Sequence, residues 1–473
     1  MWLQPPHSRP GSPAMAHPTR SRTRRQIRAL RTRFAQRDGL PFADVLPAQR
    51  IEDAIRDHGG GWREEVFTPV LTLWAFLTQV ICPVGCCRLA VARVMAWLVA
   101  HGQKPCGPGT GGYCKARARL PEGVLTQLTR QTGRTLHDGA PRGWLWKGRR
   151  VQIADGTTVT MPDTPDNQAE YPHHGSQADG IGFPQIRLVA LFSLACGAIL
   201  DAAVGPSRGK QSGENALLRQ IAGGVEPGSV VVADRYFGGW FDLALWQERG
   251  VDVVTRIHQK RATDFHRGRH LGREDHVVMW RKRQRPDWMD RETYLRLPSE
   301  LAIREVRVRV AQRGFRTRAL VLATTLTDPE VRAEDLAELY RARWQVELDL
   351  RSVKVTLGMD VLRCKTPELV RAELWAHLLA YNLIRAAMAQ VAVSSDREPR
   401  ELSVAGTVQA LAAFAEVLDT AGGYESFVRV VLAYRVGNRP DRFEPRARKR
   451  RPKPYPPLTV PRDQARKRLA RSA

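Results

Sequence analysis

VRAEDLAELYRARWQVELDLRSVKVTL, residues 331–357, contains neither glycine nor proline. Asp328-Pro329 ahead of it suits a helix cap and first turn, and Gly358 behind it suits a stop. The stretch therefore reads as one helix. At about 100° per residue, Tyr340, Arg343, Glu347 and Lys354 fall at roughly 0°, −60°, −20° and −40°, within one narrow stripe. Leu339, Val346, Leu350 and Val353 lie beside it, at about −80° to −140°. The pattern predicts a helix that packs its apolar edge on a neighbouring layer and presents Tyr, Arg, Glu and Lys together at the rim. An exposed i,i+4 pair of Arg343 with Glu347 is the plainer reading of the same face.

Upstream, two apolar runs end in aspartate: Ile153-Ala154-Asp155 and Val231-Val232-Ala233-Asp234. A strand ending in Asp sets a carboxylate at the edge of a sheet, where open α/β folds bind ligands. One such residue, above all Asp155 before Gly156, equally opens a turn. Two in one predicted sheet favour a shared site. The intervening sequence supports that sheet. RRVQIADGTTVTM (149–161), Ile186 to Leu194 and Ala198 to Val204 read as successive strands. Glu214 to Ile221 and Asp242 to Arg249 suit helices, and Val230 to Ala233 and Val251 to Ile257 suit buried strands. Hairpin strands followed by strand–helix alternation imply an α/β layer with a mixed sheet.

The remaining segments are laid out around this core. Residues 1–35 form a basic arm expected to be disordered, and 36–148 a helical unit that reads as a DNA-binding domain or as a structural cap on the core that follows. The α/β core occupies 149–259 and resumes at 326–395 with the Glu347 helix; 260–325 reads as a basic, β-rich insertion. Residues 396–438 are a C-terminal helical region. A Pro/Arg/Lys-rich tail, 439–473, containing Arg446-Ala-Arg-Lys-Arg-Arg451, is expected to be disordered without a polyanion.

Net charge is +26, with a pI near 10.6. Such an excess favours nucleic acid as partner, although an Arg-rich genome bias produces the same composition. Seven cysteines, at irregular spacing and with no CxxC pair, argue against a disulfide framework or structural zinc and suit a reducing cytoplasm. The N-terminus has no apolar signal region. Val66 to Cys87 is long and uncharged, but Pro69, Gln79, Pro83 and Gly85 favour a buried helix pair over a membrane span. His173-His174 reads as a loop pair, and Gly205 to Gly213 lacks the lysine and Ser/Thr of a nucleotide loop.

Tyr340-x2-Arg343-x3-Glu347-x6-Lys354 resembles the Y-R-E-K signature of bacterial insertion-sequence transposases of the insertion sequence 4 family. Ile153-Ala-Asp-Gly-Thr-Thr158, Ala233-Asp-Arg-Tyr236, Leu357-Gly-Met-Asp360, Trp375 to Ile384 and Tyr113 to Arg117 are similar to the family as well. The resemblance runs from about residue 40 to the C-terminus. It implies an RNase H-like catalytic core whose metal-binding catalytic triad maps onto Asp155, Asp234 and Glu347. It also implies cut-and-paste transposition, with the helical 36–148 unit binding terminal inverted repeats and a homodimer pairing the ends. Such a protein would act in the bacterial cytoplasm, on the nucleoid.

The chemistry is coherent with the residues. Two Mg²⁺ ions about 3.5–4 Å apart, or Mn²⁺ in their place, can activate the attacking oxygen and stabilise the leaving one. Carboxylates supply the hard oxygen ligands that such ions take. Tyr340, Arg343 and Lys354 would then contact DNA phosphates, and Arg256 resembles a family position that contacts DNA near the cleaved end. Trp288, among the basic residues of the insertion, is expected either to stack on an extruded base or to belong to a small apolar core under the insertion, and Trp280 to lie in a strand. A nuclease of the same fold that does not integrate, or a DNA-binding protein domesticated from a transposase, are the rival readings.

Overall fold

Val151–Thr160 (β1) sends alternate side chains to opposite faces of a sheet, Ile153 and Val159 to one and Ala154 to the other. This strand organises the computed structural model. The structure describes residues 45–436 and 458–472, apart from 60, 61, 63–65, 83, 176, 177, 179, 210, 211, 310–318, 416 and 419. The proposed arm 1–35 and the basic run 446–451 lie outside the described residues.

β1 is followed by the antiparallel strands Gln185–Ser193 (β2) and Ile199–Pro206 (β3). Val230–Ala233 (β4) and Asp252–Arg256 (β5) then add in parallel on its other side. The short run VVVA is wholly buried, as a parallel strand covered on both faces must be. These strands match the expected ones to within a residue or two at their ends.

The segment 260–325, expected as a β-rich insertion, supplies strands that extend the same sheet. They are Arg269–Gly272 (β6), Asp275–Arg281 (β7), Glu300–Arg309 (β8) and Ala319–Thr324 (β9). The last returns antiparallel beside β5, so the order is β3-β2-β1-β4-β5-β9-β8-β7-β6. A buried Arg304–Asp275 pair, with Arg304 also donating to the Asp328 and Val331 carbonyls, ties this extension to the chain leading into the Glu347 helix.

One face of the sheet is covered by Glu214–Ile221 (α7) and Trp240–Glu248 (α8), through Leu217, Leu218, Phe241 and Leu243 against Ala154, Val231 and Val253. The other face carries Ala333–Ala342 (α10), Trp344–Arg351 (α11) and the long Pro367–Ser394 (α12). Leu339, Val346, Leu350 and Val353 are all buried there, as the helical wheel requires.

The Glu347 helix departs from expectation in three ways. Its cap is not Asp328-Pro329. The helix starts after Arg332, whose N–H donates to the Asp335 carboxylate at 2.9 Å. It is interrupted at Arg343, and it ends in a wider turn, Ser352–Thr356, closed by Leu357 N–H to the Ser352 carbonyl. Wide turns of this kind re-aim the side chains that follow them.

Among the described residues, five α-helices precede the sheet: Ala48–Asp57 (α1), Pro69–Ile81 (α2), Cys87–Ala100 (α3), Gly111–Arg119 (α4) and Glu122–Asp138 (α5). They do not form a separate globule. Leu46, Ile51, Leu73, Phe76, Leu125 and Leu128 share one apolar core with β1, β2 and α12. Asn382 of α12 bonds both the Thr129 carbonyl of α5 and the Ile199 backbone of β3. The apolar 66–87 run gives one buried helix, α2, and a break before α3; no helix among the described residues is long and apolar enough to cross a membrane. After α12 come Val404–Phe414 (α13) and Ala421–Ala433 (α14). In the tail, Arg462–Ser472 is helical (α15), against the expected disorder of that part.

Asp349 locks α11 to its surroundings. It is 1 % exposed and carries Arg385, Arg400 and the Tyr381 hydroxyl, the last donating at 2.9 Å. Arg400 also donates to the Ser193 and Leu194 carbonyls at the β2–β3 turn. Removing one partner of a buried ion pair typically costs about 3–5 kcal/mol, because the other charge is left uncompensated. Asp349→Ala should therefore lower unfolding free energy by about that amount in urea titrations. A loss below about 1 kcal/mol would show that water reaches these arginines.

Candidate active site

The register of the parallel strands sets the site. Ala154 pairs with Ala233, and Ala233 with Thr255. The next residues on the three strands, spaced about 4.8 Å apart, are Asp155, Asp234 and Arg256. They form a row at the carboxyl ends of β4 and β5 and at the point midway along β1 where its pairing with β4 ends, the side of the parallel strands where open α/β sheets bind ligands.

The two aspartates are fixed alike. Oδ1 of Asp155 accepts the Gly156 N–H at 2.8 Å, and Oδ1 of Asp234 accepts the Arg235 N–H at 2.7 Å. Each therefore spends one oxygen on its own backbone. Thr255 donates to the Asp234 carbonyl and steadies the end of β4.

Glu347 and Arg343 come from the helices above. Arg343 Nη2 donates to Glu347 at 2.8 Å, and its Nη1 lies 3.8 Å from Asp155 Oδ2. The i,i+4 pair and the shared site are thus both present: the guanidinium that pairs with Glu347 also reaches the first aspartate. Burial works against the charge on Arg343, but Glu347, Tyr340 and Asp155 outweigh it and raise its pKa. Burial likewise pushes the Tyr340 phenol up to about 12, with Arg343, Asp234 and Arg256 acting on it. Lys354, carried by the wide turn, donates to Thr157 Oγ1 at 3.0 Å and to the Thr158 carbonyl at 2.9 Å, so it is fastened to β1 just beyond Asp155.

Seven of the eight residues singled out in the sequence therefore gather at one edge: Asp155, Asp234, Glu347, Tyr340, Arg343, Lys354 and Arg256. Trp288 does not. Arg219 lies over one face of its ring at 3.5 Å and Phe241 meets it edge-on, so it packs against the apolar layer around α8, away from the carboxylates. Trp280 is buried, donating to Glu305. The sequence reading missed Glu214, whose charge acts on Asp155. Its only local signal is an acidic residue in a first helical turn, which the helix dipole favours anyway.

Among the described residues, no three His, Cys, Asp or Glu side chains converge closely enough to hold a metal ion in this conformation, and Arg343 stands between Glu347 and Asp155. The donor set still suits a hard divalent cation. It is all carboxylate oxygen, and burial raises the Asp155 pKa to about 6 against the lowering by the Gly156 N–H and Arg343.

Residues 146–383, half the chain, match the family model described as Transposase DDE domain. The chain is 28% identical over 284 residues to the transposase InsG for insertion sequence element IS4 of Escherichia coli K12, covering 59% of this chain and 61% of that protein. It is 46% identical over 65 residues to the transposase for insertion sequence element IS421 of Escherichia coli, 14% of this chain and 18% of that one. This chain thus spans about three-fifths of the length of the first relative and under a fifth of the second. A piggyBac transposase in a synaptic complex with hairpin DNA aligns over 81% of each chain at 7% identity, with a TM-score of 0.39.

The raised Asp155 pKa has a consequence for stability. An acid whose folded pKa exceeds its unfolded value adds stability below the unfolded pKa and loses it as pH rises through the folded one. Without divalent cations, Asp155→Asn should be as stable as wild type near pH 4 and more stable above about pH 6, by at most about 3 kcal/mol. Denaturant titrations across this range measure it. A variant less stable than wild type at neutral pH would mean that Arg343 fully offsets the burial of the carboxylate.

Proposed function

The chain belongs to the Transposase DDE domain family, and from that premise we propose that it is a cut-and-paste DNA transposase whose catalytic groups are Asp155, Asp234 and Glu347. The observation that carries this reading is the Arg343 guanidinium reaching both Glu347 and Asp155 at the end of the parallel strands. We read the order β3-β2-β1-β4-β5 with its single antiparallel hairpin side as an RNase H-like core, enlarged by β6 to β9.

In this reading Asp155, Asp234 and Glu347 hold two Mg²⁺ ions. When bound, these would lower the pKa of a water or 3′-hydroxyl and balance charge on the leaving oxygen. The chain's own residues do the rest. Arg343 exchanges Glu347 for a DNA phosphate, which frees the carboxylate and keeps the guanidinium at the rim. Lys354 and Arg256 flank the row of carboxylates from β1 and β5 and would fix the backbone of the cleaved end by phosphate contacts. The half-buried Tyr340 can donate its hydroxyl to the same backbone. Basic residues elsewhere, in a chain of net charge +26, would supply non-specific affinity. The helices α1 to α5 share their core with the catalytic layer, so we propose that they bind terminal inverted repeats as a rigid extension of it. A homodimer would pair the two ends.

Asp155→Asn, Asp234→Asn and Glu347→Gln should each reduce cleavage of an end-containing duplex by more than about 100-fold, beyond what loss of a supporting metal contact costs, while duplex binding persists. Cleavage at the wild-type rate by any of the three would remove that residue from the catalytic set. Cleavage without joining in the wild type would favour the nuclease reading.

A further inference from the structure

Glu214 opens α7, on the face of the sheet opposite the Glu347 helix, and approaches β1 at the single position where that strand has no side chain. A Cβ on Gly156 would lie 2.8 Å from the Glu214 carboxyl carbon and from its Oε1. The residue directly after Asp155 is thus the gap that admits this carboxylate. A helix start drifting over the sheet would not need such a gap.

The start of α7 is also fastened on both sides of Glu214. Arg187 of β2 donates to the Ser212 carbonyl at 2.7 Å. Asn215 donates to the Tyr236 carbonyl at 2.7 Å, two residues past Asp234. The backbone on either side of Glu214 is therefore held, once to the strand beside β1 and once to the loop that follows the second aspartate. No hydrogen-bond or ion-pair partner of Glu214 is found among the described residues. In a chain with so large an excess of arginine, a half-buried carboxylate set over Gly156, whose charge acts on Asp155 and which has no cation partner among the described residues, is a position that a bound cation would explain.

We infer that Glu214 is a fourth oxygen donor to the divalent cation held by Asp155, reaching the site from the opposite face of the sheet through the opening at Gly156. The inference rests on the proposed metal-dependent reading of the three carboxylates. The bland alternative is a carboxylate that only complements the positive end of α7. The two differ in what they require. A helix-end role needs charge and tolerates a shorter side chain. A donor needs an oxygen at the full reach of glutamate.

The test is Mn²⁺ binding to the full-length chain, with free Mn²⁺ read by electron paramagnetic resonance, alongside melting temperatures without metal. Wild type, Asp155→Asn, Glu214→Gln and Glu214→Asp are compared. Both Glu214 variants should weaken Mn²⁺ binding by about tenfold or more. Glu214→Gln should melt no lower than wild type without metal, because it removes a like charge from beside Asp155. If both Glu214 variants bind Mn²⁺ as wild type does while Asp155→Asn binds weakly, the inference fails and the three-carboxylate site stands. If Asp155→Asn also binds as wild type does, the metal site itself is lost. Weak binding by Glu214→Gln with normal binding by Glu214→Asp would assign Glu214 to the helix end and overturn the inference.

Discussion

A buried carboxylate with two arginines holds this molecule's functional edge in place. Asp349 sits two residues beyond Glu347, and Arg385 and Arg400 converge on it from α12 and from the segment after α12. Desolvating three charges makes such a cluster a poor source of net stability. Its effect is geometric. The helix that carries Glu347 cannot rotate or slide without stranding a charge in the core, and Arg400 extends the constraint to the β2–β3 turn by two carbonyl bonds. Glu347, on the outer side of the same helix, inherits that fixed position while remaining about a third exposed.

The opposing constraint is the parallel register of β1, β4 and β5. It sets Asp155 and Asp234 side by side, and a one-residue slip of β4 would turn Asp234 to the face opposite Asp155. Two rigid parts thus face each other across a gap that Arg343 bridges. The arrangement places several cations around carboxylates that are partly buried. It is suited to a polyanionic strand, whose phosphates can take over the arginine and lysine contacts that the protein makes to itself.

Local pattern carried much of this. Apolar runs ending at Asp155 and Asp234, and the wheel that grouped Tyr340, Arg343, Glu347 and Lys354, needed only strand and helix periodicity. What escaped was tertiary. The interruption at Arg343 and the wide turn at Ser352–Thr356 arise where the helix must meet both the sheet and α12, and neither has a glycine or proline to announce it. The segment 260–325 was legible as β-rich, but the edge-to-edge union of β9 with β5 depends on pairing between distant segments. The N-terminal helices read as a separate unit because their joint core with α12 is assembled from residues hundreds of positions apart. Trp288 drew attention by its basic neighbours, yet Arg219, remote in sequence, lies over its ring. Glu214 could be found only once Gly156 was seen to leave room for it.

The central claim is that this sheet edge joins DNA as well as cuts it. Its most direct measurement is a strand-transfer assay with the full chain, a duplex carrying the element's terminal sequence taken from the DNA flanking the gene, a supercoiled target plasmid and Mg²⁺. The account predicts joined products in which the 3′ end of the duplex is covalently attached to the plasmid, and none when the divalent cation is chelated. Stable binding of the duplex with no joined product, whatever cation is supplied, would contradict it.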